Sequence, residues 1–350
     1  MAYSTITKPS LHFNTKLYAG SNSTQAVTGV GFQPDWVWIK NRSSTPDHKL
    51  HDVVRGSNKN LTSNSNAAEQ TYTYFNSFDS DGFTLDGNVS DYNQNGSNFV
   101  SWNWKAGGTG SANSNGTISS TVSVNTTAGF SIVAYTGNGT GNSTIGHGLG
   151  ATPKFIIVKR RDSTGNWGTY NPAFVSASDP SILYLDTNAS KAADTNVFGT
   201  SAAFNNNTFT VGDWNGSNVN YGNYIAYCFA YKRGFSKGGK FTANNSSDGP
   251  FVYTGFKPGW VLIKSSLSGA GWVIVDSTRD PSNPADKILY PSATNDEASG
   301  ARYIDLNSNG FKLRNSYGDM NGGTAQYMYM AFAEEPLVAN VGASIPATAR

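Results

Sequence analysis

A proline followed by a short apolar run ending in lysine occurs three times in this chain: PDWVWIK at 34–40, PKFIIVK at 153–159 and PGWVLIK at 258–264. Each run has downstream partners in the same order. An Asn/Asp-rich turn leads into DGFTL at 81–85, NTFTV at 207–211 or NGFKL at 309–313. An aromatic segment follows: NFVSWNWK at 98–105, NYIAYCFA at 223–230 and QYMYMAFA at 326–333. A unit of roughly 100 residues is domain-sized, not a solenoid repeat. What recurs is a set of packing residues, without a recurring reactive group. That pattern points to a structural or binding protein.

The period of the apolar runs is two, so they read as strands. In the proline run one face carries Val37 and Ile39, Ile156 and Val158, or Val261 and Ile263. The other carries Trp36 and Trp38, Phe155 and Ile157, or Trp260 and Leu262. Both faces are apolar, so this strand is expected to be central and covered twice. A two-layer sandwich supplies one cover; a loop, an adjoining repeat or another subunit must supply the second. Lys40, Lys159 and Lys264 read as snorkelling residues where the strand leaves the interior, and Pro34, Pro153 and Pro258 suit strand starts. The closing aromatic segment reads as a half-buried strand, with Val100, Trp102 and Trp104 and their counterparts inward.

These features predict an all-β fold: three tandem β-sandwich domains of jelly-roll or concanavalin-like type, with little helix. The units span 13–106, 129–233 and 239–338. Residues 107–128 form a linker with an edge strand in its second half, and 339–350 a C-terminal tail.

Composition narrows the function. Charged residues are 14% of 350 and the net charge is +2, too weak a field for nucleic acid or acidic lipid. The single cysteine, Cys228, excludes an internal disulfide and reads as a small buried apolar residue. No segment approaches the ~18 apolar residues of a membrane helix. The start, MAYSTITKPS, shows no basic-then-apolar leader pattern. A surface-type composition without an export pattern suits a virion component made in a host cytoplasm.

Candidate chemistry is sparse. Asp52 and Arg55 match Asp276 and Arg279 in spacing, while the second unit has WGTYNPAF there. The spacing fits a turn lock better than a ligand clamp. Asp79 and Asp81 are a weak candidate for a cation, short of the six to eight oxygens calcium takes. His12, His48, His51 and His147 lack zinc spacing. Glutamate is scarce (Glu69, Glu297, Glu334, Glu335), and none falls at a visibly repeated position. No catalytic residue, resident metal or cofactor is expected. The remaining binding signal is aromatic: Tyr92, Trp214 and Tyr317 lie in polar loops before the closing strand and are candidate glycan contacts.

The segments FNTKLYAGSNSTQAVTGVGFQPDWVWIKNRSS, SFDSDGFTLDGN, FVSWNWKAGG, IGHGLGATPKFIIVKRRD and DGPFVYTGFKPGWVLIK, with the ending IPATAR, resemble a recurrent family of uncharacterised structural proteins from tailed marine bacteriophages. The resemblance implies a non-enzymatic virion protein, a tail fibre or capsid decoration used in host attachment. Its partners would be other virion proteins, copies of itself and a host surface glycan. A free carbohydrate-binding module array is the alternative, and a polysaccharide depolymerase the third reading.

Overall fold

Each proline run forms a strand: Trp36–Asn41, Phe155–Arg160 and Phe256–Ser265. The computed structural model describes residues 4–174, 181–199 and 204–336, so the expected tail at 339–350 lies outside the described residues. Each proline strand pairs antiparallel with its closing strand, Asn98–Trp104, Asn223–Phe229 or Gln326–Pro336. The register repeats: Trp38 faces Trp102, Ile157 faces Tyr227 and Leu262 faces Met330. A strand before the proline run (Phe13–Ala19, Phe130–Thr136 or Ser236–Thr242) pairs with the far side of the closing strand. A strand after it (Lys49–Asp52, Gly168–Tyr170 or Trp272–Asp276) completes the set.

The four-strand order therefore occurs three times. The middle sheet extends to eight strands, with Ser111–Asn113 and Ser120–Asn125 on one side and Ser181–Tyr184 and Ala192–Ala193 on the other. The expected linker thus contributes two strands to the sheet. The predicted edge strand becomes Ser120–Asn125, with Ser111–Asn113 outside it. The first strand of the third set begins at Ser236, ahead of the expected start of that unit at 239. Among the described residues, helix is confined to the 3-10 turn Pro9–Leu11 and the four-residue helix Thr195–Phe198. Among the described residues no helix is long and apolar enough to cross a membrane.

Each large sheet is covered on its outward face by a small one. Gln25–Thr28, Gly82–Leu85 and Phe75–Asp79 cover the first, Ser143–Gly146 with Thr208–Val211 the second, and Phe251–Tyr253, Gly310–Leu313 and Ile304–Asn307 the third. Between layers lie Val37, Ile39 and Phe83; Ile156, Val158 and Phe209; and Val261, Ile263 and Phe311.

The opposite faces of the three large sheets meet each other. Trp36, Trp38, Trp102 and Trp104 of the first, Phe155, Ile157, Tyr227 and Phe229 of the second, and Trp260, Leu262, Met330 and Phe332 of the third belong to one buried cluster. Rings cross between units: Trp36 stacks on Tyr227 at 4.3 Å, Trp104 meets Trp260 edge-on at 5.8 Å, and Phe229 meets Phe332 at 5.9 Å. The second cover of the proline strand is therefore the adjoining repeats. The units are not strung out; they close on a common core. Burial of each large side chain there stabilises by about 1.5–3 kcal/mol.

Two strand readings need correction. The closing strand is buried on both faces, since Ser101, Asn103, Ala226, Cys228, Tyr329 and Ala331 are buried as well. Nor do the lysines snorkel. Lys40, Lys159 and Lys264 are fully buried. Each ammonium donates across a seam, Lys40 to Thr294 O (3.0 Å), Lys159 to Asn66 O (3.2 Å) and Lys264 to Ala189 O (2.9 Å). Burial pulls all three pKa values down to about 8.

Candidate functional site

The repeated acids and bases lie in the seams between units. At the seam of units one and two, Arg55 Nε donates to Asp52 Oδ2 at 2.5 Å, and Arg55 also reaches Glu69 at 3.1 Å. From the second unit, the Tyr227 hydroxyl donates to Asp52 Oδ2 at 2.7 Å, and Arg161 grips both oxygens of Glu69 at 3.0 Å. The seam of units three and one repeats this arrangement. Arg279 Nε donates to Asp276 Oδ2 at 2.6 Å and reaches Glu297 at 3.1 Å. From the first unit, Trp102 Nε1 donates to Asp276 Oδ2 at 3.0 Å, and Arg42 grips Glu297 at 2.8 and 2.7 Å. Asp-x-x-Arg is therefore the turn lock the spacing suggested, extended across a seam by a Glu–Arg clasp. Hydrogen bonds from Arg161 and charge from both arginines hold Glu69 below its ordinary range, outweighing desolvation, which acts the other way. Arg42 and Arg279 do the same for Glu297 against the same opposing desolvation.

The second unit departs from this set in a concerted way. Its register places Asn171 and Phe174 where the others have Asp and Arg. Met330 holds the register position of Trp102 and Tyr227. The backbone bond survives, as Lys191 N donates to Ser266 O at 3.0 Å, matching Glu69 N to Arg161 O and Glu297 N to Arg42 O. Charge has been removed from every other position of the clasp.

The candidate binding residues separate. Tyr92 is 1% exposed and cannot stack on a sugar. Its hydroxyl meets His51 Nε2 at 3.0 Å, while His51 Nδ1 lies 2.8 Å from Ser57 O. A carbonyl only accepts, so Nδ1 carries the proton and Tyr92 donates to Nε2. Burial, then Arg55, pulls the His51 pKa well down. Trp214 is half-buried, its ring 5.5 Å from Tyr184. Tyr317 is 45% exposed, and Arg302 lies 4.6 Å over its ring. Backbone bonding makes Trp214 and Tyr317 equivalent to Val89, not to Tyr92.

The weak cation candidates are turn locks. Asp79 accepts from the Ser77 and Thr84 hydroxyls, both at 2.7 Å. Asp81 accepts from Gly29 N at 2.9 Å and Gly31 N at 2.6 Å, bonds that lower its pKa. Small loops joined by such bonds are a standard use of aspartate. Cys228 is buried as expected, which pushes its thiol pKa up and keeps it inert.

The unclasped seam opens into a cleft of about 1150 Å³. Asp186–Asn188 of the second unit form one wall. Leu267–Gly271, Tyr290, Arg302 and Asp319 of the third unit form the rest. Arg302 Nε donates to Asp319 Oδ2 at 2.6 Å, and the Tyr290 hydroxyl lies 3.3 Å from the same oxygen. Burial, then Asp319, raises the Tyr290 pKa well above its ordinary value, so the phenol stays a donor. Among the described residues, no group of three or more His, Cys, Asp or Glu is placed to hold a metal ion.

A family model, described as a domain of unknown function, matches residues 8–336 without a break and so takes in all three repeats. The chain belongs to the DUF7483 family. No curated protein and no solved structure matches it.

Two features of this DUF7483 chain escaped the sequence reading. Glu69 and Glu297 do occupy one repeated position, hidden because the second unit has Lys191 there and the loops differ in length. Asn93, Asn218 and Asn321 form a buried triplet, each closing the loop before the closing strand. Asn93 Nδ2 donates to Ser23 O and Gly87 O, Asn218 to Thr140 O and Gly212 O, and Asn321 to Ser246 O and Asn315 O. The signal was present, since each stands five residues before its closing strand begins, at Asn98, Asn223 and Gln326.

Proposed function

We propose that this chain is a non-enzymatic structural protein, three β-sandwich units wrapped on one core, displayed on a tailed-phage particle with its polar loops contacting host glycans. One observation carries the non-enzymatic part: the acids and bases that recur between units are engaged in buried seams. Asp52, Arg55, Asp276 and Arg279 are sealed from solvent and tie one unit to the next. A reaction site needs such groups open to substrate. The particle setting is supported by the resemblance of the quoted segments to phage structural proteins.

The test has two arms. Incubating the intact chain with host surface polysaccharide and assaying new reducing ends should give none above buffer; sustained cleavage abolished by an acidic substitution would refute the non-enzymatic reading. Labelling purified particles with an antibody to the chain should place it on their surface. An unlabelled particle from a lysate rich in the chain would refute the virion setting and favour a free carbohydrate-binding protein.

A further inference from the structure

Resting on the reading that the chain contacts glycans, we propose that the cleft between the second and third units is the contact site and that its ligand is a neutral saccharide. Asp319 carries the first argument. It lines the cleft and is 8% exposed. Oδ2 takes both Arg302 and Tyr290, while Oδ1 is buried without a partner. An unsatisfied buried acceptor destabilises the protein until a donor arrives. A sugar hydroxyl is such a donor once Asp319 turns Oδ1, sealed here from solvent, toward the cleft.

Charge decides between saccharides. Among the described residues, the charged groups lining the cleft are two carboxylates, Asp186 and Asp319, and one cation, Arg302. Arg302 is already paired with Asp319. A sulfated or carboxylated sugar would face a net negative wall with no free cation, whereas a neutral one would not.

Tyr317 borders the cleft and would be its platform: its chain neighbours Ser316 and Gly318 line it, as does Arg302, which lies over the ring. Arg302 steadies the ring from one side, and nearly half of the residue stays open. An aromatic ring beside convergent polar groups suits the C–H face and hydroxyl rim of a pyranose. The cleft exceeds the ~300–1,000 Å³ of a drug-sized site, leaving room for more than one sugar ring. The other two units lack this combination, since the Tyr317 position is Val89 in the first and a ring packed on Tyr184 in the second.

The intact chain should be screened on an array of neutral oligosaccharides (mannose, galactose, glucose and N-acetylglucosamine types) beside sialylated and sulfated ones. The best neutral probe is then titrated by calorimetry against Tyr317→Ala, Asp319→Asn and Trp214→Ala. Neutral probes should bind. Tyr317→Ala and Asp319→Asn should each weaken binding on the order of tenfold, and Trp214→Ala should stay within about twofold. Should Asp319→Asn fail to fold, the exposed Tyr317→Ala decides. Neutral binding unchanged in Tyr317→Ala, or binding of acidic probes alone, overturns the cleft proposal and leaves glycan contact elsewhere standing. Binding of no probe overturns both.

Discussion

Lys191 stands over the ring of Phe174, its ammonium 6.0 Å from the ring centre, where the other two seams set Glu69 against Arg55 and Glu297 against Arg279. A cation–π contact has replaced a salt bridge at an equivalent position. Five positions change together: Asn171 for aspartate, Phe174 and Ser266 for arginine, Lys191 for glutamate and Met330 for the aromatic donor. Replacing a buried ion pair as a set is tolerated, whereas removing one partner is not.

Arg55→Leu should therefore destabilise the chain by about 3–5 kcal/mol, because Asp52 is left buried and unpaired. Grafting the second unit's solution (Asp52→Asn, Arg55→Phe, Glu69→Lys, Arg161→Ser and Tyr227→Met together) should recover most of that loss. Urea unfolding midpoints measure both. A single variant as stable as wild type would contradict the account.

The buried lysines predict an unusual pH response. Desolvation sets Lys40, Lys159 and Lys264 at about 8, against an ordinary value of 10.5. Between those values the unfolded chain binds more protons than the folded one, so stability rises with pH there, by at most about 1.4 kcal/mol per unit per lysine. The gain is complete above the unfolded value and is lost as pH falls to about 8. Burial also raises the phenols of Tyr18, Tyr135 and Tyr227, so tyrosine ionisation in the unfolded chain reverses the trend above about pH 10. Unfolding midpoints should climb from about pH 8 to 9.5, and Lys264→Met should flatten the climb by about a third. A midpoint that falls over this window would be incompatible with these lysines.

Asn93→Ala, Asn218→Ala and Asn321→Ala should each cost about 1–3 kcal/mol, since each removes a buried amide that donates to two loop carbonyls. The three losses should be similar, and calorimetric melting tests this. A negligible loss at any one would remove the idea of a common lock.

Residues 107–233 expressed alone should not fold, although they hold the whole eight-stranded sheet. Their sheet would expose Ile157, Tyr227 and Phe229, which the other units cover. Near-ultraviolet dichroism should show no fixed aromatic packing, and a hydrophobic dye should bind. A cooperative melt of this fragment would show that its own two layers suffice.

Strand order and pairing were legible because apolar period and turn residues are local signals. The threefold recurrence of one four-strand order was legible from repetition alone. The shared core was only half legible: two apolar faces on WVWIK, FIIVK and WVLIK demanded a second cover without naming it. The fate of Lys40 was misread, because a lysine at a strand end ordinarily reaches water, whereas here the carbonyls of Ser44 and Pro46 and the neighbouring unit's Thr294 hold its ammonium inside. Tyr92 and Tyr317 looked alike in sequence. One turned inward because His51 accepts its hydroxyl; the other stayed out beneath Arg302.

The seam residues also give each unit an address. Tyr227 fits a carboxylate at Asp52, Trp102 fits one at Asp276, and the methionine at 330 offers no donor to either. Exchanging any two units, or borrowing one from a second molecule in the wrong position, would oppose a sealed acid with a thioether. Mispaired assemblies are thereby penalised, and a chain made of three similar parts retains one way to close.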